Sequence, residues 1–299
     1  MKRNLYILQA FFAVLAFSAC SSESTPEVDY QDPTGYFIAN DSDTSAIANI
    51  RRNFDKETGI HLLVNDTLQH YKLGTDINGQ DRYFTETIDL GYDIGQSATA
   101  STTYTFTYLN TADEVQKATD FLKGYILNHV QGKLKPYSIF ICKTLYGYDR
   151  NMNKSTTAYA VSNKRCVAVS SNYIISSNRT DALKKSYASR ILNVMMQRQA
   201  SNYSSAFKPF YAYGTDYYGR SISGMGYATN VESLRQAGFI TSMSTDQTFP
   251  KQDEDQTSYI LAVLQNDDTQ LENLYGKYNL IMTKINVIKQ ILEQLGYVF

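Results

Sequence analysis

The chain holds three histidines, His61, His70 and His129, and their spacing bears on the first chemistry worth testing. A zinc hydrolase built on one helix needs two His at i and i+4 with a Glu between them. The imidazoles then share a face and grip the ion, and the carboxylate polarises its water. No two of the three are four residues apart. His129 follows the apolar stripe of a helix-like run and reads as a half-buried, hydrogen-bonded histidine. A zinc site joining His61 to His70 is the less favoured reading of the other two. Among nucleophiles, "GRSISGMG" offers Ser221 and Ser223. It lacks both the Gly-Lys-Ser/Thr of a phosphate-binding loop and the Gly-x-Ser-x-Gly of a nucleophile elbow, and no His follows it. It reads as a flexible loop. Asp253, Glu254 and Asp255 are consecutive carboxylates, read first as a solvated helix N-terminus and second as a candidate metal ligand. No catalytic residue, metal or cofactor is expected.

The elements that would position such groups can be read from periodicity. A helix is expected over Asp43–Lys56, stopped by Gly59, followed by a short buried strand "IHLLV". Strands fill much of 68–109, with Tyr104, Phe106 and Tyr108 alternating with Thr. Thr111 and Glu114 have capping-box spacing before Val115, Leu122, Ile126 and Val130, with Gly132 as the stop. Strands at Tyr137–Lys143 and Arg165–Ser171 carry Cys142 and Cys166, which are either two buried thiols or a disulfide. Helices follow at Thr180–Gln199, Asn230–Gln236, near Thr257–Gln265 and over Thr269–Leu295. The fold class is α+β, with a mixed strand and helix half to about residue 175 and a helical half after it.

Composition narrows the partners. The net charge of −1 comes without a basic block, so the electrostatic footprint of a nucleic-acid binder is missing. Tyr is abundant at 25 residues and Trp is absent, which suits amphipathic aromatic surfaces better than sugar stacking on Trp. Residues 1–19 combine Lys2 and Arg3 with a short apolar core and small residues, the layout of a secretory signal. "LAFSAC" resembles the lipobox of bacterial lipoproteins, with Phe17 where Leu is usual, which implies lipidation of Cys20. Residues 20–35 then form a polar, Pro-containing tether, and 36–299 the folded domain. Ser21 after the Cys implies the outer membrane, with a periplasmic or a surface-facing orientation both open. An ordinary signal peptide cut nearby is the alternative.

Four further stretches carry a second resemblance: "IRRNFDKETGIHLLV", "ILNVMM", "QAGFITSMSTDQTFPKQDED" and "YGKYNLIMTKINVIKQILEQLG". Together they resemble a family of zinc-binding metallopeptidase lipoproteins of gut anaerobes, and the order of elements is similar to the zincin-like layout. The likeness implies an H-E-x-x-H helix, yet the corresponding positions here are Ser186, Tyr187 and Arg190. Ser is a poor zinc ligand, Tyr is no carboxylate base, and Arg repels the cation. The resemblance therefore implies a metallopeptidase-like pseudoenzyme. Its ligand would be a glycan or peptide, and its partners the lipid bilayer and proteins of an outer-membrane uptake system. The ligand is expected in a cleft between the two halves, lined by the aromatic stretch 201–219: Tyr203, Phe210, Tyr211, Tyr213, Tyr217 and Tyr218. An ordinary packed loop is the competing reading of that stretch. The rival functions are an active metallopeptidase with a displaced ligand set and a structural or adhesin-like surface subunit.

Overall fold

Ser45 starts the first helix by accepting a hydrogen bond from the Ala48 N–H, and α1 runs over Ala46–Thr58. Gly59 ends it at φ 62°, the left-handed conformation that glycine adopts without a Cβ penalty. The structure is a computed structural model and describes residues 36–91, 102–176, 179–242 and 244–299. The signal segment, Cys20 and the tether lie outside the described residues. Tyr36–Phe299 forms one compact unit.

Among the described residues the front half holds nine short strands: β1 (His61–Leu63), β2 (Thr67–Thr75), β3 (Asp81–Thr87), β4 (Thr102–Thr107), β5 (Ser138–Cys142), β6 (Thr144–Asp149), β7 (Lys154–Thr157), β8 (Ala160–Ser162) and β9 (Val167–Ser170). The main sheet has the order β1-β5-β9-β8, with β1, β5 and β9 parallel and β8 antiparallel at the edge. Every residue of β5 is buried, because both faces of this central strand are covered. Its period-two alternation sorts the two cores. Ile139 and Ile141 face the helices, and Phe140 and Cys142 face a smaller cluster with Phe37, Leu63 and Leu145. Two antiparallel pieces stand beside the main sheet, the β2–β3 ribbon and the β4-β6-β7 sheet.

Helix α2 (Ala112–Tyr125) carries the expected capping box, with Thr111 accepting from the Glu114 N–H and Glu114 accepting from the Thr111 N–H. It ends earlier than expected. Tyr125 is its last residue, and two 3-10 turns at Leu127–His129 and Gly132–Leu134 precede β5. Gly132, at φ 52°, opens the second of those turns, so it shapes the connection rather than the helix end. Cys142 and Cys166 are free and buried. The β5–β9 register pairs Ile139 with Val167, which leaves Cys166 and Cys142 about four residues apart along the strands, roughly 13 Å. That is too far for a disulfide.

After a short α3 (Asn172–Ile175), the 22-residue α4 (Asp181–Asn202) begins the helical half, with the Thr180 hydroxyl accepting from the Leu183 N–H. Short α5 (Lys208–Tyr211) and α6 (Val231–Gln236) follow, then α7 (Gln252–Gln265), α8 (Asp268–Tyr275) and α9 (Asn279–Leu295). The closing helix expected over 269–295 is thus two helices. Gly276 and Lys277 separate them, and Tyr278 leaves the helical region at ψ 88°. The break puts Leu274 on the surface, while Ile281, Ile285, Ile288 and Leu292 stay buried. The described chain is mixed, strand-rich in front and helical behind.

Candidate functional site

Helix α4 packs between the edge of the main sheet and α7, so it buries more than a single stripe: Tyr187, Ala188, Ile191, Leu192, Met195 and Met196 are all inside. Ser186 and Arg190, four residues apart, share an exposed face. Tyr187 points the other way. It stacks on Tyr173 with centroids 5.0 Å apart and planes 7° from parallel, and meets Tyr159 and Phe121 edge-on at 5.3 and 6.2 Å. Its hydroxyl donates to the Ser170 carbonyl at 2.8 Å, and burial pushes its pKa up to about 12. The Arg190 guanidinium lies 4.9 Å from the centre of the Tyr159 ring. Of the three positions, Tyr187 thus belongs to a ring cluster with Tyr173, Tyr159 and Phe121, Arg190 lies over the Tyr159 ring of that cluster, and Ser186 is exposed beside it.

The acidic segment is divided by burial. Asp253 and Glu254 are exposed in the first turn of α7, and Glu254 accepts from the Lys251 N–H at 2.8 Å, the capping role expected of a helix start. Asp255 departs from the solvated reading, because it is fully buried. Both of its oxygens accept from the Lys284 ammonium of α9, at 3.0 and 2.8 Å, and Tyr218 Oη donates to it at 2.9 Å. Lys284 is buried as well. It donates to the Gly238 carbonyl at 2.8 Å, and its Nζ sits 4.4 to 4.8 Å from the ring centres of Tyr259, Phe239 and Phe210. Burial pushes Asp255 up and Lys284 down from their ordinary values, with the pairing opposing both shifts. Asp255 is thus committed to an ion pair inside an aromatic cage and is not free to ligate a metal. Sequence reasoning missed Lys284, although a signal existed. It falls three residues after Ile281 and four before Ile288, inside the apolar stripe of α9.

The histidines are dispersed. His61 hydrogen-bonds Asp55 through Nδ1 at 2.9 Å, and His70 lies on the β2–β3 ribbon, bonded to Thr85 and stacked on Tyr83. His129 is half-buried, with Nδ1 2.7 Å from the Val298 carbonyl and its ring stacked on Tyr297. Among the described residues no three His, Cys, Asp or Glu side chains group closely enough to hold a metal ion.

Most of the aromatic stretch 201–219 serves packing. Phe210 is fully buried against Tyr259, Tyr211 hydrogen-bonds Gln256, and Tyr218 holds Asp255. Tyr217 closes a small core with Phe239 and Phe249. Tyr203 and Tyr213 are the members left exposed, and the Tyr203 ring lies under Lys133 Nζ at 4.6 Å.

A concavity lies elsewhere on α4. A pocket of about 160 Å³ opens between the last turns of α4, the segment 134–137 and the β8–β9 turn. Leu134, Val167 and Met195 contribute apolar wall, and Tyr137 presents a ring that is 40% exposed. Its polar groups come from Ser162, Asn163, Gln199 and Asn202, and its charges are Lys135, Lys164 and Arg198. Asn163 is fixed in place, since its side-chain oxygen accepts from the Arg165 and Cys166 N–H groups and its amide donates to the Asp89 carbonyl. Gln199 is held by a bond to the Lys133 carbonyl at 2.8 Å. No family model, curated protein or solved structure matches this chain. The pocket lies between segments of the mixed half and the long helix α4. Its lining is not the aromatic stretch apart from Asn202 at that stretch's start, and its first α4 residue, Met195, lies more than one turn beyond Arg190.

Proposed function

We propose that the protein is an exported, lipid-anchored binding protein of zincin-like, metallopeptidase-like architecture that performs no zinc catalysis and holds its ligand between sheet and long helix. The pocket beside the C-terminal turns of α4 is the observation that carries this reading. It is pre-formed, walled by regular elements and lined by side chains that are themselves held by hydrogen bonds. The zincin-like layout draws support from the order of elements: a mixed sheet, α4 in mid-chain, a loop-rich stretch and closing helices. Loss of catalysis draws support from the residue types on α4 and from the commitment of Asp255 to Lys284. The lipid anchor rests on "LAFSAC" and the polar tether, and among the described residues no helix is long and apolar enough to cross a membrane. A glycan or peptide ligand and association with an outer-membrane uptake system follow from the resemblance.

The test is a thermal-shift screen of the full chain against oligosaccharides and short peptides, repeated on Asn202→Trp, which fills the pocket mouth from an exposed position. A ligand that stabilises wild type and loses its effect in Asn202→Trp is the expected result. Undiminished stabilisation in the variant places the site elsewhere.

A further inference from the structure

The Asp255–Lys284 pair places two groups that water would keep charged where water does not reach. Both side chains are fully buried, and the rings of Tyr259, Phe239 and Phe210 surround the nitrogen. Burial therefore favours the neutral partners, a carboxylic acid and a free amine, over the two ions. Moving one proton from Nζ to Oδ1 converts one form into the other with no outside acid or base. The amine so formed is a nucleophile, and the acid beside it is its electrophile.

Distance and orientation are already in place. Nζ lies 3.0 Å from Oδ1 and 2.8 Å from Oδ2, so the carboxyl carbon between them is about 3 Å away, the separation of a near-attack arrangement. Packing of α7 against α9 fixes that approach, and such fixed pairs react with effective molarities of about 10⁵ M or more. The hydrogen bonds around the pair are those that an amide would keep. Tyr218 Oη donates to Oδ2 at 2.9 Å, and burial raises the Tyr218 pKa, so the hydroxyl keeps its proton and polarises the C–O bond. On the other side Nζ donates to the Gly238 carbonyl at 2.8 Å, a contact that a single remaining N–H can hold. Each polar atom of an amide thus has a partner, and no ion stays buried.

We propose that Lys284 and Asp255 condense into an intramolecular amide, a self-formed covalent cross-link between α7 and α9. The Nζ lone pair attacks Cγ, and the C–N bond forms as the C–Oδ1 bond breaks. Oδ1 leaves as water, carrying the proton it took first and the one that Nζ sheds after attack. Oδ2 stays as the amide oxygen beside Tyr218. No oxidant, cofactor or second protein enters the balance, and the ion pair described above is the reactant. The cross-link encloses the whole of α8 and uses no thiol.

The test is mass spectrometry of the full chain, unfolded and then digested with trypsin and a glutamate-specific protease. An unlinked chain is cut after Glu254, Glu272, Lys277 and Lys284, which releases 255–272 and 278–284 separately. A linked chain yields 255–272 joined to 278–289, because an acylated Lys284 is no longer a trypsin site. That species weighs one water less than its two parts, and the loss of 273–277 from between them distinguishes it from an uncut linear peptide. The joined species in more than half of the chains, with fragment ions placing the bond between Asp255 and Lys284, is the expected result. Separate peptides from half of the chains or more overturn the proposal. A joined species that persists in Lys284→Arg comes from another amine and overturns it too. The wild-type digest decides the question whether or not that variant folds.

Discussion

Removing the Lys284 ammonium from its buried site is the most informative single change for stability. Lys284→Met keeps most of the side-chain volume and the packing against Tyr259, Phe239 and Phe210, so the cavity cost is small. What is lost is the partner of a carboxylate with no exposure, bonded at 3.0 and 2.8 Å, and the bond to the Gly238 carbonyl at 2.8 Å. Breaking a buried pair from one side costs about 3–5 kcal/mol, because the orphaned charge must lose its proton-free state or stay unpaired. At about 2 °C per kcal/mol for a unit of this size, the midpoint falls by roughly 6–10 °C. The loss also depends on pH. Burial already holds the Asp255 pKa above its unfolded value of about 3.9, and removing Lys284 raises it further. A raised carboxyl contributes stability that is complete below the unfolded value and lost as pH rises, so the defect of the variant is larger at pH 7 than at pH 4. Urea denaturation of wild type, Lys284→Met, Asp255→Asn and the double variant gives the coupling. The double is expected to fall short of the summed single losses by about 2 kcal/mol or more. A Lys284→Met protein within about 1 kcal/mol of wild type at pH 7 would refute the reasoning.

Three further outcomes are expected. Tyr187→Phe removes one buried hydrogen bond to the Ser170 carbonyl and costs about 1 kcal/mol, whereas Tyr187→Glu places a carboxylate among Tyr173, Tyr159 and Phe121 and costs several times more; urea titration that ranks the two equally would contradict the ring cluster. Cys142, Cys166, Tyr187 and Tyr297 are pushed up to about 12 chiefly by burial. Their contribution is complete below the unfolded values of about 8.5 for Cys and 10 for Tyr and is lost as pH rises toward 12, so the thermal midpoint should decline from about pH 8.5 upward, with thiol labelling at pH 8 occurring only on unfolding. Cys20→Ala should release the protein from the membrane fraction, and a wild-type chain already in the soluble fraction would defeat the lipid-anchor proposal.

Caps and buried stripes were legible in the sequence because they are local. Gly59 and the Thr111–Glu114 box announce helix ends through neighbours within four residues, and "SIFIC" announces a buried strand by composition. Strands β6, β7 and β8 escaped notice. β6 interrupts its alternation with Gly147 and β7 is wholly exposed, so neither shows a one-sided apolar pattern. The break after Tyr275 escaped for the opposite reason: Leu271, Leu274, Tyr278 and Ile281 keep helical phase across it. The early start of α7 was hidden by its polar first turn, Gln252 to Asp255. At the candidate site, the residue types at Ser186, Tyr187 and Arg190 were readable, but the burial of Tyr187 depends on Tyr173 and Tyr159 arriving from other segments. The burial of Asp255 likewise depends on a lysine 29 residues away. The pocket could not be read at all, because its walls come from three separate stretches brought together by the β5–β9 pairing and the packing of α4.

The zinc content of the protein, purified without an affinity tag and dialysed against a small excess of zinc, tests the central claim most directly. A helix presenting Ser186, Tyr187 and Arg190, with Asp255 locked to Lys284, should leave less than about 0.1 zinc per chain, since ligand type and geometry set metal affinity. About one zinc per chain, retained through dialysis and accompanied by peptide hydrolysis that a chelator abolishes, would contradict it.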